Sequence, residues 1–417
     1  MFTTHLRFLT AGESHGPELI AILEGLPAGL RLDVEAINQE LVRRQQGYGA
    51  GPRMKMERDQ AEILSGVMAG QTIGAPLAMR IANLNHGKWL GQAIEPFTAP
   101  RPGHADLTAA IKYGYRDLRP SLERASARET AARVAVGAVC KQLLAEFGVQ
   151  IIGYVRAIGE VEADIESIPL EARSAQAEAN DVRCPDPVAA NAMRACIRQI
   201  MEQRDTLGGV IEVVALNLPP GLGSHVHWDR KLEARLGAAV LGVQAIKGVE
   251  FGSAFANARL PGTQAHDAIE LSGRRMNADD TDQELNTQKT PFLSVSNALT
   301  RPSNRAGGIE GGISNGQPLV IRAAMKPIAT TLTPQQTVDL ADGQPRPTQY
   351  ERSDFCPVPR AVPIIEAVIA FILADALLEK LGGDSLAEMQ PRFATLRKAC
   401  LNDLPMDNIS HTWWPNE

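Results

Sequence analysis

The chain has 417 residues, 44% of them hydrophobic, which is enough for one large core or two medium ones. Lys and Arg number 42 against 48 acidic residues, for a net charge of −6. That balance speaks against a nucleic-acid or anionic-membrane partner, either of which favours a basic face, but leaves room for a small anionic molecule held by a local arginine cluster. The five cysteines, Cys140, Cys184, Cys196, Cys356 and Cys400, are odd in number and scattered without a CxxC pair. They read as reduced thiols in a cytoplasmic protein, with no metal site.

In chain order, the N-terminus lacks a basic-then-apolar leader pattern. Thr10-Ala11-Gly12-Glu13-Ser14-His15-Gly16 follows an apolar stretch and reads as a strand feeding a tight loop, with His15 at an exposed edge. Taken alone, it reads more readily as a turn with an incidental histidine. The apolar run Leu19 to Leu23 leads through Leu26-Pro27-Ala28-Gly29-Leu30 into a helix from Asp33 to Gln46, with the Asp33 carboxylate near its free N–H groups. Arg43 to Lys55 is basic and Gly-rich, either a loop that closes over an anion or a solvated face. Arg101-Pro102-Gly103-His104-Ala105-Asp106 turns at Pro-Gly and projects Arg101 and His104. Arg124-Ala125-Ser126-Ala127-Arg128 enters a helix from Ala125 to Phe147, a start that suits a phosphate or an ordinary solvated turn.

Glu160 to Ala179 is acidic and Ala-rich, a peripheral excursion. Asp186-Pro187 opens a helix to about Gln203. Val210 to Leu216 leads through Leu218-Pro219-Pro220-Gly221-Leu222 into a helix from Trp228 to Gln244, with Asp229 near its start. Asn286 to Asn315 reads as a long loop. Glu351-Arg352-Ser353-Asp354 precedes an apolar segment, Ile364 to Leu378, which is too short for a bilayer, carries Glu366 and Asp375, and ends near Gly382 and Gly383. The tail is expected to lie on the surface or hang loose.

Two passages repeat. Gly66 to Arg80 reads GVMAGQTIGAPLAMR and Gly308 to Arg322 reads GIEGGISNGQPLVIR, with six identities in fifteen positions. Glycine and proline at matched offsets imply matched turns. The Leu-Pro-x-Gly-Leu strings upstream form a weaker second pair. Both suggest a duplicated unit in one compact body, with a pseudo-two-fold axis and a site where the halves meet. The sequence carries no GxxxxGK[ST] loop, dinucleotide fingerprint or HExxH. Composition and spacing stop at an anion-handling enzyme with two candidate histidines.

Taken in order, the strings TAGESHG, RRQQGYGAGPRMKME, ILSGVMAG, RPGHADL, ASARETAARVAVGA, QAIKGVEFG, NRAGGIEGGISNGQP, MKPIAT and ERSDFCPVPRAVPIIEA resemble the chorismate synthase family from near residue 10 to about 383. The resemblance implies an α+β fold, a β-α-β sandwich of two antiparallel sheets around central helices. It would form one domain over 1–400, with pseudo-repeats about 1–205 and 206–400 and a tail over 401–417. It implies a lyase of the shikimate pathway that uses reduced FMN to eliminate phosphate from 5-enolpyruvylshikimate-3-phosphate. By that resemblance His104 is the general acid toward phosphate, His15 keeps the reduced flavin suitably protonated, and Asp354 helps remove the C6 proton. Arg44, Arg53, Arg101 and Arg128 would bind substrate. Arg124, Ala125, Ser126, Gln244, Ala245, Gly311, Lys326, Pro327, Ile328, Ala329, Thr330 and Arg352 would hold FMN. The family is cytoplasmic and usually homotetrameric, and some members reduce their own flavin with NADPH. Ala50 stands where the family usually has Arg, which points here to an external flavin reductase. Ala125 replaces one serine of a usual Ser-Ser pair, a mild change if backbone serves there.

Overall fold

The structure, a computed structural model, describes residues 5–51, 58–272, 298–349 and 354–414. Strands β1 (Arg7–Ala11) and β2 (Glu18–Glu24) precede helix α1 (Val34–Gln45), which Asp33 caps by accepting from the N–H groups of Glu35 and Ala36. Then come β3 (Ala61–Ser65), a small hairpin of β4 (Val67–Met68) and β5 (Gln71–Thr72), and β6 (Leu77–Ala82). Helices α2 (Asp106–Tyr113) and α3 (Arg119–Ala125) lead to α4 (Thr130–Ala145). Next are β7 (Gln150–Ile158), β8 (Val161–Glu162), α5 (Leu170–Glu178), α6 (Pro187–Glu202), β9 (Gly209–Leu216), α7 (Leu232–Leu241) and β10 (Ile246–Phe251). After α8 (Ala254–Asn257) and α9 (Gly262–Ala265), β11 (Glu270–Leu271) pairs with β12 (Leu299–Thr300). A second small hairpin, β13 (Ile309–Glu310) and β14 (Ile313–Ser314), precedes β15 (Leu319–Met325). The chain closes with β16 (Gln336–Val338), β17 (Pro345–Pro347), α10 (Val358–Leu381) and α11 (Leu386–Ala394).

The two larger sheets are antiparallel, ordered β1-β2-β6-β3 and β10-β15-β9-β7-β8. Helices α4 and α10 pack side by side, α4 against β2 and β6, α10 against β7 and β9. Their close approach requires Gly137, since a Cβ there would lie 2.2 Å from the Ala367 Cβ. Helix α10 is apolar around its whole circumference, as a helix buried on all sides must be. It begins at Val358 rather than Ile364, so its 24 residues would suffice to cross a membrane, yet its apolar window is wholly buried within the protein. Its two buried carboxylates are met. Glu366 faces Lys141 Nζ at 2.5 Å and Arg43 Nη1 at 2.7 Å, and Asp375 pairs with Arg235. Burial alone would raise the Glu366 pKa, but these cations outweigh it and hold the carboxyl down at about 2.

The repeated strings build the same local structure. Gly66 and Gly308 have φ of 88° and 84°, and a Cβ at either would come within 2.8 Å of the following strand's backbone. Thr72 exchanges backbone hydrogen bonds with Gly29 and Leu30, and its hydroxyl donates to Pro27 O at 2.6 Å. Ser314 does the same with Gly221 and Leu222, and donates to Pro219 O at 2.7 Å. The register agrees as well: Ile20 faces Arg80 as Glu212 faces Arg322. Gly312-Ile313-Ser314-Asn315-Gly316 fits the GxSxG pattern of a nucleophile elbow, but Ser314 is 3% exposed and spent on this hairpin.

Several expectations shift. The long helix starts at Thr130, after α3 and a single 3-10 turn over Ala127–Glu129. Asp229 does not cap α7, whose N-cap is Lys231, and pairs with His227 instead. Strands β7 and β8, both before residue 206, belong to the second sheet. Of the expected loop Asn286 to Asn315, the part up to 297 lies outside the described residues, and the rest contains β12 and the β13–β14 hairpin.

Candidate active site

His15 sits in the loop between β1 and β2. Glu123 of α3 grips it twice, through the backbone N–H at 2.8 Å and the ring Nδ1 at 2.7 Å. The indole of Trp89 leans on the imidazole, with centroids 4.4 Å apart, and His86 Nδ1 lies 2.9 Å from His15 O. Asn83, just past β6, braces the loop by donating to Glu13 O and Gly16 O. Ser14 and Ser126 join through their hydroxyls at 3.0 Å, tying the His15 loop to the entry of α4.

Arg44 and Arg128 lie beneath, 1% and 4% exposed, and share Asp59. Arg128 Nη1 donates to both Asp59 oxygens at 2.6 and 2.7 Å and its Nε donates to Asn83 Oδ1. Arg44 Nη1 is 3.6 Å from Asp59, and Arg44 also donates to Thr130 Oγ1 and Ala127 O. Two buried guanidiniums thus converge on the Asp59 carboxylate.

The His104 loop, turned at Gly103 with φ of 73°, is organised by the fully buried Asp106. Asp106 Oδ1 is 2.6 Å from His104 Nδ1, while Arg101 donates to both carboxylate oxygens through Nε and Nη2. Burial opposes ionisation of Asp106, but hydrogen bonds from His104 and Arg101 hold it well below the usual carboxylate range. Arg101 Nη1 reaches Thr330 Oγ1 at 3.3 Å, and Lys326 Nζ donates to Gly103 O at 2.6 Å. The segment 326–330 is therefore docked on the His104 loop.

The expected flavin contacts form a second chain of bonds. Arg124 donates to Thr10 O, Thr10 Oγ1 donates to Glu129, and Gln244 Nε2 donates to the other Glu129 oxygen. Ala245 O accepts from Lys326 N at 2.9 Å, and Ala245 itself has φ of 66°, unusual for a residue with a Cβ. Gln244 Oε1 is buried with no hydrogen-bond partner among the described residues. Gly311 does not join this group. It tips the β13–β14 hairpin, whose Gly312 O accepts from Leu232 N at the start of α7, whereas Gln244 and Ala245 follow the other end of that helix. The ten residues of α7 span roughly 15 Å. Its φ of 60°, matched by 49° at Ala69 in the other hairpin, is a requirement of the turn.

Asp354 accepts from Gly51 N–H at 2.7 Å and pairs with Arg360, which in turn donates to Arg44 O. Next to it, Phe355 O accepts from Leu207 N, and Thr206 donates to Ile328 O. A run of contacts and chain neighbours thus links the His15 loop, Asn83, Arg128, Asp59, Arg44, Arg360 and Asp354, and returns through 206–207 and 328–330 to Arg101 and His104. A cavity of about 670 Å³ lies behind the loop 45–51, also lined by Glu178, Asp181, Arg183 and Met201; neither histidine lines it. Ala50 is among its lining residues. Arg53 and Arg352 lie outside the described residues. Sequence reasoning passed over Asp59, Asn83 and Trp89, which no pattern separates from ordinary polar or aromatic residues, and gave no role to Asp106 or Glu123.

The family model for chorismate synthase matches residues 6–378. A chorismate synthase of Trichlorobacter lovleyi is 52% identical over 395 residues, covering 92% of this chain and 97% of that protein. That of Geobacter sulfurreducens is 49% identical over 398 residues, covering 93% and 97%. A crystal structure of a chorismate synthase superposes with a TM-score of 0.74 at 43% identity, covering 94% of this chain and 97% of the other. The chain belongs to the chorismate synthase family.

Proposed function

We propose that the protein converts 5-enolpyruvylshikimate-3-phosphate to chorismate and phosphate by 1,4-anti elimination, in the shikimate pathway, with reduced FMN as cofactor. The observation that carries the site assignment is the run of contacts and chain neighbours joining the His15 loop, His104, Asp354, Arg44, Arg101 and Arg128. Reduced FMN, when bound, supplies transient electron density to the substrate as phosphate departs. The buried Gln244 Oε1, unpartnered among the described residues, fits a ligand that brings a donor, and the left-handed Ala245 beside it fits a backbone shaped to a ligand. Arg124, Ala125, Ser126, Gln244, Ala245 and 326–330 would hold the flavin, with Arg352 as a further candidate; Gly311 is not carried further as a contact of its own chain's site.

His104 would deliver a proton to the leaving phosphate, which Arg101 would grip beside it. His15 would hold a proton beside the flavin. Arg44 and Arg128, with Arg53, would set the positive field that draws in a substrate carrying one phosphate and two carboxylates. Asp354 would take up the C6 proton; Gly51 and Arg360 engage one oxygen each, and each oxygen keeps a second lone pair for that proton.

The matched strand orders and hairpins support a duplicated unit and a sandwich of two sheets around α4 and α10. The second unit would then begin near β7 rather than at residue 206, within one domain that runs to about 400. A cytoplasmic homotetramer is the assembly we favour, and Ala50 favours external reduction of the flavin over NADPH use. The test is anaerobic turnover with photoreduced FMN, set against NADPH alone. Chorismate formation with the first supports the activity, and its absence refutes it; equal rates with the second refute external reduction.

A further inference from the structure

The two histidines share a feature that the reaction itself does not call for. Each has a carboxylate from its own neighbourhood on Nδ1: Glu123 Oε1 at 2.7 Å from His15 and Asp106 Oδ1 at 2.6 Å from His104. Both carboxylates are held in place independently of the ring. Glu123 also accepts the His15 backbone N–H at 2.8 Å. Asp106 is fully buried and accepts the Arg101 backbone N–H at 3.0 Å as well as its guanidinium. Burial disfavours the charge on each, yet hydrogen bonding to the histidine heads the influences that keep both below the ordinary carboxylate range.

An ionised carboxylate has only lone pairs to offer, so at these distances it requires a hydrogen on the facing nitrogen. We infer that Glu123 and Asp106 are positioning residues that fix His15 and His104 as Nδ1–H tautomers, leaving Nε2 as the nitrogen that takes and gives the working proton. This rests on the roles proposed above for the two histidines. Asp106 has a second task. Arg101 Nη2 lies 3.0 Å from the same Oδ1, 3.0 Å from His104 Nδ1 and 3.3 Å from Nε2; the Asp106 contact at 2.6 Å is the shortest on Nδ1, so one carboxylate aligns the cation meant for phosphate with the ring meant to protonate it. When His104 carries its second proton, that proton is on Nε2. Its transfer to phosphate returns the ring to the Nδ1–H form without disturbing Asp106. Among the described residues Glu123 has no such link to a substrate arginine; it ties His15 to α3, whose last residues are Arg124 and Ala125.

The experiment is nitrogen-15 NMR of the full-length protein labelled at histidine, at a pH where the imidazoles are neutral, with signals assigned from His15→Gln and His104→Gln. The expected result is Nδ1–H with an acceptor Nε2 for both rings. Glu123→Gln should turn His15 into a tautomer mixture, and Asp106→Asn should do so for His104. Predominant Nε2–H in the unmodified protein overturns the inference whatever the variants do. Turnover gives the second reading. Asp106→Asn should lower kcat on the order of 10²-fold and raise KM, because Arg101 is released too, with partial rescue by Asp106→Glu. Glu123→Gln should lower kcat with little change in KM; unchanged kcat in both variants also overturns the inference. Loss of the proposed roles would look different: full turnover in His104→Ala would remove His104 from the reaction while leaving the tautomers as expected.

Discussion

The two ends of the paired sheets make an instructive contrast. At one end sit the repeated hairpins, Gly66 to Pro76 and Gly308 to Pro318, alike in turn angles, hydrogen bonds and register. At the other end, β6 and β15 run out into the connections to α4 and α10, residues 83–129 and 326–357, which share no sequence. Those connections carry Asn83, Trp89, Arg101, His104, Glu123, Ser126 and Arg128 on one side and 326–330 and Asp354 on the other, and they bind each other. Thr337 donates to Pro100 O at 2.6 Å and Leu340 N to Thr98 O at 3.0 Å, beside the Arg101 and Lys326 links. What repeats is scaffold, because two turns solving one geometric problem keep the same glycines. What does not repeat is chemistry, because each side of an asymmetric substrate needs different groups.

Changes at the two ends should therefore fail in different ways. The largest effect is expected from His104→Ala, which should bind FMN normally yet lose turnover by roughly 10²-fold or more; wild-type turnover would break the contrast outright. Asp59→Ala should cost about 3–5 kcal/mol in urea unfolding, since it removes the carboxylate that two buried arginines share, and should weaken substrate binding in the folded fraction. Gly308→Ala should cost at least ~2 kcal/mol, because a left-handed φ is joined by a Cβ within 2.6 Å of Pro318 O, while kcat per folded molecule stays unchanged. Gly70→Ala, with open space around its Cβ, should cost only about 1–2 kcal/mol. A fall in kcat for either would show that the hairpin end takes part in the reaction.

Acid sensitivity should come from the core between the sheets. The Glu366 carboxyl titrates near 2 when folded against an ordinary value of 4.5, so its contribution is complete above about pH 4.5 and is lost as pH falls toward 2. Glu366→Gln should flatten the stability profile across that window, and an unchanged profile would mean other carboxylates govern acid unfolding. The smallest effect belongs to Ala245→Gly. Relief of the left-handed strain, less the added chain entropy, should stabilise by about 0.5–1 kcal/mol while loosening FMN binding.

The sequence revealed the scaffold through glycine and proline, whose backbone demands are visible without a structure. The matched strings predicted the hairpins, Asp33 and Asp186 predicted helix starts, and Gly382 a helix end. It was blind where local strength gives way to tertiary need: the 3-10 turn before Thr130, and the extra length of α10 through Pro359 and Pro363. The candidate histidines and arginines stood out by their turns and helix start, but drew specific roles only from the family-like strings. Their partners did not, because a buried Asp59 or Asp106 looks in sequence like any other surface carboxylate. Gly311 is the opposite case, a recognisable glycine whose own turn already calls for a left-handed residue.

The most direct measurement is a crystal structure of the protein with FMN. The flavin should lie between the two strand-to-helix connections, in contact with residues of both 83–129 and 326–330 of one chain, and clear of that chain's Gly311. A flavin seated instead on the 308–316 hairpin, touching neither connection, would contradict the division of scaffold and chemistry.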